Sequence, residues 1–363
     1  MPSPTPAFLP PDPARILLLK PSSLGDVIHA LPVLRVLRRA FPAAEIWWWI
    51  DAGLRPLLED DPDLTGLIPF NRRALRKPSG WLPFVRSLRE MRRRQFDWVL
   101  DLQALARSGL VTWWSHARFS VGLDDRREGA PAFYDLAVPR PTPLTHAVDW
   151  YLEVPRRLGL PVKWDFDWIP PRPAVAARLR ERWRTDAARW VAVQPGARWA
   201  TKRWPARHFA AVIRALAGDD PALRFALLGS PDERDLAREI AEAAPDRCLV
   251  LAGETTLPEM VEWLRLAALL ITNDTGPLHA AAAMRRPVLA LFGPTEPRRT
   301  GPYGQLDHVL QLGLDCVPCL HHDCRHPVFL ECLRGLTPPT VIARARELLA
   351  EQQLPRFVAL SAG

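Results

Sequence analysis

The 363-residue sequence lacks any long apolar run. Its apolar stretches, such as "VLALF" at residues 288–292, fall far short of the roughly 20 residues that a membrane-spanning helix needs. The proline-rich N-terminus also lacks the basic start and long apolar segment of a secretory signal. We therefore expect a globular cytoplasmic protein, and 48% hydrophobic residues suffice to fill two domain cores.

A dinucleotide-binding fingerprint is also missing. Neither residues 21–25 nor residues 195–205, which follow the first predicted strand of each half, contain the pattern G-x-G-x-x-G. A nicotinamide-dependent oxidoreductase is therefore the function class that the sequence favours least.

Acidic residues are nearly absent between residues 72 and 94, where Glu90 is the single acid. Leu82, Val85, Leu88 and Met91 recur there at helical spacing, which predicts one packed face and one basic face. The basic face is typical either of a solvated helix or of a surface for an anionic acceptor or anionic lipid headgroups. No nucleic-acid-binding motif accompanies it, so nucleic acid is not an expected partner. The basic residues are Arg72, Arg73, Arg76, Lys77, Arg86, Arg89, Arg92, Arg93 and Arg94.

Short apolar runs alternate with helical patterns through both halves of the chain, which predicts buried parallel sheets. We expect an α/β protein with two doubly wound Rossmann-like domains facing a cleft, at residues 1–165 and 166–363, with the last helix packing back on the N-terminal domain. The proline-rich residues 159–175 are the expected linker. Ligands bind such sheets at the carboxyl ends of the strands. The predicted strands are residues 15–20, 45–50, 67–70 and 98–102, then 190–194, 224–229, 248–253, 269–272 and 287–293.

Asp26 directly follows the loop after the first predicted strand and opens the next helix. An acid in a first helical turn is often only a cap. Ser22 and Ser23 already offer capping oxygens, so the sequence favours a second role, in which the Asp26 carboxylate takes a proton from a hydroxyl nucleophile. His29, one turn later, is either its partner or a satisfied polar residue.

The second half contains three loops that suit a phosphorylated ligand. In "NDTGPLH", at residues 273–279, backbone amides, a hydroxyl and His279 would converge on an anion, although a capped turn is the alternative. Lys202 and Arg198 lie in the loop after residues 190–194, where they either neutralise a phosphate or are merely solvated. Glu233 either binds a ribose or stabilises its own helix.

Five cysteines are present, and four follow the pattern C-x2-C-x4-C-x7-C at Cys316, Cys319, Cys324 and Cys332. Taken alone this spacing suits zinc or an iron–sulfur cluster. Reduced thiols are the default expectation, because disulfides are disfavoured in the cytoplasm. Cys248 is isolated in a predicted strand and is expected only to pack. The strings "DPD" at residues 61–63 and "DFD" at residues 165–167 lie in a turn and in the linker, so neither is assigned a metal.

From about residue 15 to about residue 350 the chain resembles glycosyltransferase family 9, the lipopolysaccharide heptosyltransferases. The resemblance implies a GT-B fold and transfer of heptose from ADP-heptose, with inversion and without a metal cofactor, to a hydroxyl of the lipopolysaccharide inner core. The acceptor would be keto-deoxy-octulosonate (Kdo) or heptose. The matching segments are "LLLKPSSLGDVIHALPVLRVLRRAFP", "DLQALARSGL", "QPGARWATKRWP", "NDTGPLHAAAAMRRPVLALFGPTEPRRTGPYG" and the cysteine segment.

The resemblance also implies roles for individual residues. Asp26 matches the proposed general base of the family, and Lys202 matches the lysine that meets the donor phosphates. Glu233 matches the acid that holds the ribose, while Arg107 and Arg127 lie near positions that contact the phosphorylated acceptor. The matched donor-binding loop consists of Asp274, Thr275, Gly276 and His279.

Other readings remain open at the level of sequence. A sugar-nucleotide epimerase shares the architecture, but it has no need for the basic surface at residues 72–94. A family member that uses another sugar donor is a further alternative, as is a sugar-nucleotide sensor or metal-dependent interaction module without catalysis. Peripheral contact with an anionic inner membrane is compatible with the basic segment.

Overall fold

The computed structural model describes residues 15–125, 128–163 and 167–351. The predicted domain boundary between residues 165 and 166, Arg127 and most of the string "DFD" lie outside the described residues. The chain divides into two compact units on either side of the Pro170–Pro171 bond. In the described residues, no helix has both the length and the apolar character to cross a membrane.

The first unit is built on a six-stranded sheet with the strand order β3-β2-β1-β4-β5-β6, in which every pairing is parallel. Its strands are β1 (Arg15–Leu19), β2 (Glu45–Asp51), β3 (Gly66–Phe70), β4 (Trp98–Asp101), β5 (Phe119–Asp124) and β6 (Leu136–Pro139). Its helices are α1 (Leu24–Ala40), α2 (Arg55–Leu58), α3 (Trp81–Arg93), α4 (Ala106–Ser115) and α5 (Ala147–Arg157).

The second unit repeats this plan with the order β12-β11-β10-β7-β8-β9, again with parallel pairing throughout. Its strands are β7 (Arg189–Gln194), β8 (Leu223–Leu227), β9 (Cys248–Val250), β10 (Leu269–Asn273), β11 (Val288–Phe292) and β12 (Val309–Gln311). Its helices are α6 (Pro173–Trp183), α7 (Ala206–Asp219), α8 (Arg234–Ala241), α9 (Leu257–Leu266), α10 (Gly276–Ala283), α11 (Pro297–Thr300), α12 (Glu331–Arg334) and α13 (Pro338–Glu351).

The predicted α/β class with two doubly wound parallel sheets is confirmed. The central strands are nearly all apolar and completely buried, which is why their positions could be read from the sequence. Strands β5, β6 and β12 were not predicted. They lie toward the sheet edges, where half-buried residues such as those of β12 give no continuous apolar run.

Helix α3 packs largely as the spacing predicted. Val85 and Leu88 are half-buried and Met91 is buried, whereas Leu82, assigned to the same packed face, is exposed. Phe84 and Ser87 join the packed side, which the spacing did not predict.

The two carboxylates of the string "DPD" at residues 61–63 are bound by one arginine. Arg35 of α1 is buried and binds Asp61 through two hydrogen bonds, of 2.6 Å from Nη1 to Oδ1 and 2.5 Å from Nη2 to Oδ2. Its Nη1 also lies 2.7 Å from Asp63 Oδ2, and its Nη2 donates to the Trp168 carbonyl at 2.8 Å. One guanidinium therefore neutralises both carboxylates of the string and ties residues 61–63 and the end of the first unit to α1.

Replacing Arg35 with alanine would leave a carboxylate buried without its cation. We expect Arg35→Ala to lower the free energy of unfolding of the first unit by about 3–5 kcal/mol, measured by denaturant titration. Arg89→Ala, at an exposed position of α3 in the same unit, is the matched control and should change it by less than about 0.5 kcal/mol. Equal effects of the two substitutions would contradict the structural role of Arg35.

Candidate active site

The first site surrounds the point in the first sheet where the strand order reverses. Strand β1 lies between β2 and β4, so the chain leaves β1 on one side and returns at β4 on the other. Because β1 and β4 are parallel neighbours, the loops that follow them meet at the same sheet edge. Asp26 follows β1, and Arg107 follows β4.

Asp26 is the third residue of α1 and accepts two hydrogen bonds from Ser23. Its Oδ2 lies 2.9 Å from the Ser23 backbone nitrogen and 2.7 Å from Ser23 Oγ. Ser23 and Asp26 thus form one capping box, so the sequence argument that the serines relieve Asp26 of capping was wrong. The half-buried carboxylate is fixed in place by the start of its own helix.

A buried lysine that the sequence analysis missed lies beneath this loop. Lys20 Nζ donates to the Leu102 carbonyl at 2.8 Å and lies 4.9 Å from the centroid of the Tyr151 ring. Burial by itself lowers the pKa of Lys20, but Tyr151 and the carboxylates of Asp26 and Asp101 outweigh it, so the pKa is raised. Lys20 therefore stays protonated and supplies a fixed positive charge close to Asp26. At the end of the run "RILLLK" it could not be told from a solvated strand end.

The remaining predicted residues of this unit have different surroundings. His29 is buried, with its ring edge-on to that of His146 at 5.1 Å between centroids. Arg107 is exposed on α4 and lines a cavity of about 590 Å³ together with Ser22 and Gln103. Arg127 lies outside the described part of the chain.

The second site lies at the corresponding point of the second sheet. Strands β7 and β10 are parallel neighbours at the reversal of strand order, so the loops carrying Lys202 and Asp274 meet at one edge. Lys202 Nζ lies 2.6 Å from Asp274 Oδ2, and the same oxygen accepts a hydrogen bond of 2.6 Å from Thr295 Oγ1. Lys202 also lies 4.6 Å from the Trp199 ring centroid. The structure thus brings together a cation and a buried acid that are 72 residues apart.

Asn273 joins these two loops. Its Nδ2 donates to the Pro195 carbonyl at 2.6 Å, and its Oδ1 accepts from the Trp204 backbone nitrogen at 3.0 Å. Asn273 is completely buried, so both contacts are shielded from water. Its amide is therefore committed to positioning the loops, a role that the sequence alone could not show. Thr295, which comes from the loop after β11, was likewise missed.

Helix α10 begins at the same edge. Thr275 is its N-cap residue in extended backbone conformation, and Gly276 is its first helical residue. Both are half-buried, whereas residues 277–283 are buried, including His279. The first-turn amides of a helix carry partial positive charge, which suits an anion placed against Thr275 and Gly276.

Glu233 serves as a cap and also bridges two loops. Its Oε2 accepts from the Ser230 backbone nitrogen at 2.8 Å and from Gln194 Nε2 at 3.3 Å. A Cβ at Gly196 would overlap the Glu233 carboxylate, so a larger residue there would have to displace that carboxylate. The carboxylate therefore lies between the loop after β7 and the loop after β8, at the edge that also carries Lys202.

The four cysteines of the C-x2-C-x4-C-x7-C segment line one cavity of about 330 Å³ in the second unit. All five cysteines are free thiols. Across the described ranges, no group of three or more His, Cys, Asp or Glu side chains is arranged so that it could hold a metal ion. Burial raises the pKa of Cys332 to about 11, with a further contribution from the neighbouring thiols, and burial also raises that of Cys248 to about 11.

Comparison with known proteins agrees with this architecture. The family model described as glycosyltransferase family 9 (heptosyltransferase) matches residues 84–329. Lipopolysaccharide heptosyltransferase 1 of Pseudomonas aeruginosa is 31% identical over 325 residues, which cover 86% of this chain and 88% of that protein. Escherichia coli heptosyltransferase WaaC, solved with ADP, has a TM-score of 0.72 at 26% identity, covering 92% of this chain and 99% of the other. The structure of E. coli ADP-heptose heptosyltransferase II has a TM-score of 0.75 at 23% identity, and the match covers 94% of this chain and 100% of the other.

Two doubly wound parallel units, each with polar side chains at its reversal point, together with these likenesses define a glycosyltransferase of the GT-B class. The chain belongs to glycosyltransferase family 9, the heptosyltransferase family. The comparisons support the transferase interpretation and not the epimerase alternative.

The raised pKa of two thiols predicts selective alkylation. At pH 8 a thiol with a pKa of about 11 is only about 0.1% thiolate, the form that reacts. We expect Cys248 and Cys332 of the folded protein to resist iodoacetamide at pH 8 and to react as the pH rises toward 11, as followed by mass spectrometry of peptides. The unfolded protein is the control, and rapid labelling of Cys332 at pH 8 in the folded protein would contradict the burial of its thiol.

Proposed function

We propose that this protein transfers heptose from ADP-heptose to a hydroxyl of the lipopolysaccharide inner core, on a Kdo or heptose acceptor, with inversion at the anomeric carbon. The observation that carries the proposal is the Lys202–Asp274 pair beside the start of α10, which holds a cation ready at an anion-binding helix end. The names of the relatives supply the donor and acceptor classes.

Asp26 acts as the general base in this proposal. An acceptor hydroxyl attacks the anomeric carbon while its proton passes to the Asp26 carboxylate, and the bond from that carbon to the diphosphate oxygen breaks. The electron pair of the broken bond leaves with ADP. A single displacement of this kind needs one base and inverts the anomeric centre.

The leaving diphosphate is stabilised by the second unit. Lys202 exchanges its contact with Asp274 for a phosphate oxygen, and the amides at Thr275 and Gly276 together with His279 complete the anion site. We propose that these groups take the place of a metal cofactor, so the reaction proceeds without one. Glu233 accepts hydrogen bonds from the ribose of the nucleoside.

The acceptor binds the first unit. Arg107, which borders the cavity beside Ser22, is placed to meet a phosphate of the inner core, and we retain Arg127 as a second acceptor residue on the family resemblance alone. We further propose that the protein works at the cytoplasmic face of the inner membrane, because the exposed arginines of α3 suit anionic headgroups. A family member that uses another sugar donor is the competing function, which donor competition experiments would reveal.

The two roles of Asp26 can be separated by a matched pair of variants. Asp26→Asn keeps an oxygen for Ser23 but loses the base, so acceptor-dependent release of ADP from ADP-heptose should fall by about 10²–10⁴-fold. Ser23→Ala weakens the cap by about 1 kcal/mol but keeps the carboxylate, so its activity should stay within a few-fold of wild type. ADP release in the presence of lipid A that carries Kdo is the measurement. Retained turnover in Asp26→Asn would overturn the base assignment.

The donor site predicts a selective loss of nucleotide affinity. Lys202→Gln removes a charged hydrogen bond to phosphate, so calorimetry with ADP should show binding weaker by about 10- to 100-fold. Arg207→Gln, at an exposed position of α7 just after the same loop, is the control and should retain the wild-type affinity. Both measurements and wild-type turnover should be unchanged by EDTA. Activity abolished by EDTA and restored by a divalent cation would contradict the proposed reaction without a metal.

A further inference from the structure

Helices α3 and α4 expose an unusual concentration of apolar surface. Five of the eleven large hydrophobic side chains that are exposed in the described residues lie on these two helices. Contiguous apolar patches of this kind mark interaction sites on soluble proteins. We call these five side chains the tryptophan face; they are Trp81 (57% exposed), Leu82 (57%), Leu110 (51%), Trp113 (60%) and Trp114 (37%).

The two helices present these side chains together. Arg107, Leu110 and Trp114 follow one another at spacings of three and four residues, so they share one side of α4. The Arg92 guanidinium of α3 lies 5.3 Å from the Trp114 ring centroid, which places the two helices side by side. Trp81 of α3 and Trp113 of α4 line the same cavity of about 590 Å³. The tryptophan face is therefore one surface and not a set of scattered exposures.

The charge beside the tryptophan face is mostly positive; Glu90, the one acid of α3, is paired with Arg94 at 2.6 Å. Arg86, Arg89, Arg92 and Arg93 are exposed on α3, and none of them has a salt-bridge partner within the described ranges. Arg107 on α4 adds a fifth guanidinium that has no salt-bridge partner in the part of the chain that the structure describes. An anionic partner would neutralise these charges, whereas an apolar protein surface would leave them buried and unpaired.

One partner satisfies both the arginines and the apolar side chains. Tryptophan prefers the boundary between headgroups and acyl chains of a bilayer, and arginine is attracted to anionic lipids there. A nucleic acid or an acidic soluble protein would pair with the arginines but leave Leu82 and Leu110 in water. We propose that the tryptophan face docks on a bilayer surface that carries anionic phosphate headgroups, with its apolar side chains entering the interface.

The tryptophan face borders a cavity that extends toward the loop before Asp26, so docking would bring the bilayer close to that loop. The cavity that Trp81 and Trp113 line also reaches Ser22, next to the capping box of Asp26, and Gln103 after β4. A lipid-anchored acceptor would then be presented to the base from the bilayer on which the first unit rests. This consequence rests on the transfer reaction of the proposed function, whereas the docking itself does not depend on that reaction.

Vesicle binding tests the docking without any turnover. The full-length protein is sedimented with vesicles of phosphatidylcholine alone or with added phosphatidylglycerol, in the absence of lipopolysaccharide. We expect the wild type to bind only the anionic vesicles. The vesicle affinity should fall by about tenfold or more in the double variant Trp113→Ser/Trp114→Ser. In Arg89→Gln/Arg93→Gln it should fall by about fivefold for each arginine that is removed. Phe329→Ser is the matched control, since Phe329 is 51% exposed with the Arg334 guanidinium 5.1 Å from its ring. Its vesicle affinity should equal that of wild type, and all variants should bind ADP normally.

Several results would overturn the docking. These are failure of the wild type to bind anionic vesicles, binding lost equally in Phe329→Ser, or a loss in the arginine variant with none in the tryptophan variant. A dimer that dissociates in Trp113→Ser/Trp114→Ser, measured by sedimentation velocity without lipid, would instead assign the face to a second copy. Vesicle binding without ADP release from ADP-heptose on a deacylated acceptor would remove the proposed function and leave the docking intact.

Discussion

The parallel direction of every paired strand is the constraint on which the rest of the structure depends. It brings residues that are far apart in sequence to one edge of each sheet, because each loop after a strand leaves from the same side. Reversal of the strand order beside β1 and beside β7 then opens space for polar side chains at the centre of that edge. Asp26 occupies the first position, and Lys202 with Asp274 occupies the second.

Acidic residues in these loops serve the fold and the proposed chemistry with the same oxygens. Asp26 completes the capping box of α1, Glu233 caps a turn while reaching Gln194, and Asp274 holds both Lys202 and Thr295. Such contacts fix each carboxylate before any ligand arrives, so little side-chain entropy remains to be lost on binding. Capping and catalysis are therefore not competing explanations for an acid at the start of a helix.

How much the sequence predicts depends on what each residue contacts. The apolar central strands and the loops after β1, β7 and β10 could be located, because buried parallel strands leave uninterrupted apolar runs. Lys20 and Asn273 could not be assigned, since their roles depend on partners such as Tyr151 and Trp204 that only the fold brings near. The exposure of Leu82 was missed for a related reason: spacing predicts a helix, but the neighbouring elements decide which side is covered.

The stereochemistry of the product tests the account most directly. The protein would be incubated with ADP-heptose and lipid A that carries Kdo, and the one-bond carbon–hydrogen coupling at the new anomeric centre would be measured by NMR. One base and one displacement predict an anomeric configuration opposite to that of the donor. A retained configuration is incompatible with a single back-side displacement, and it would contradict the role assigned to Asp26.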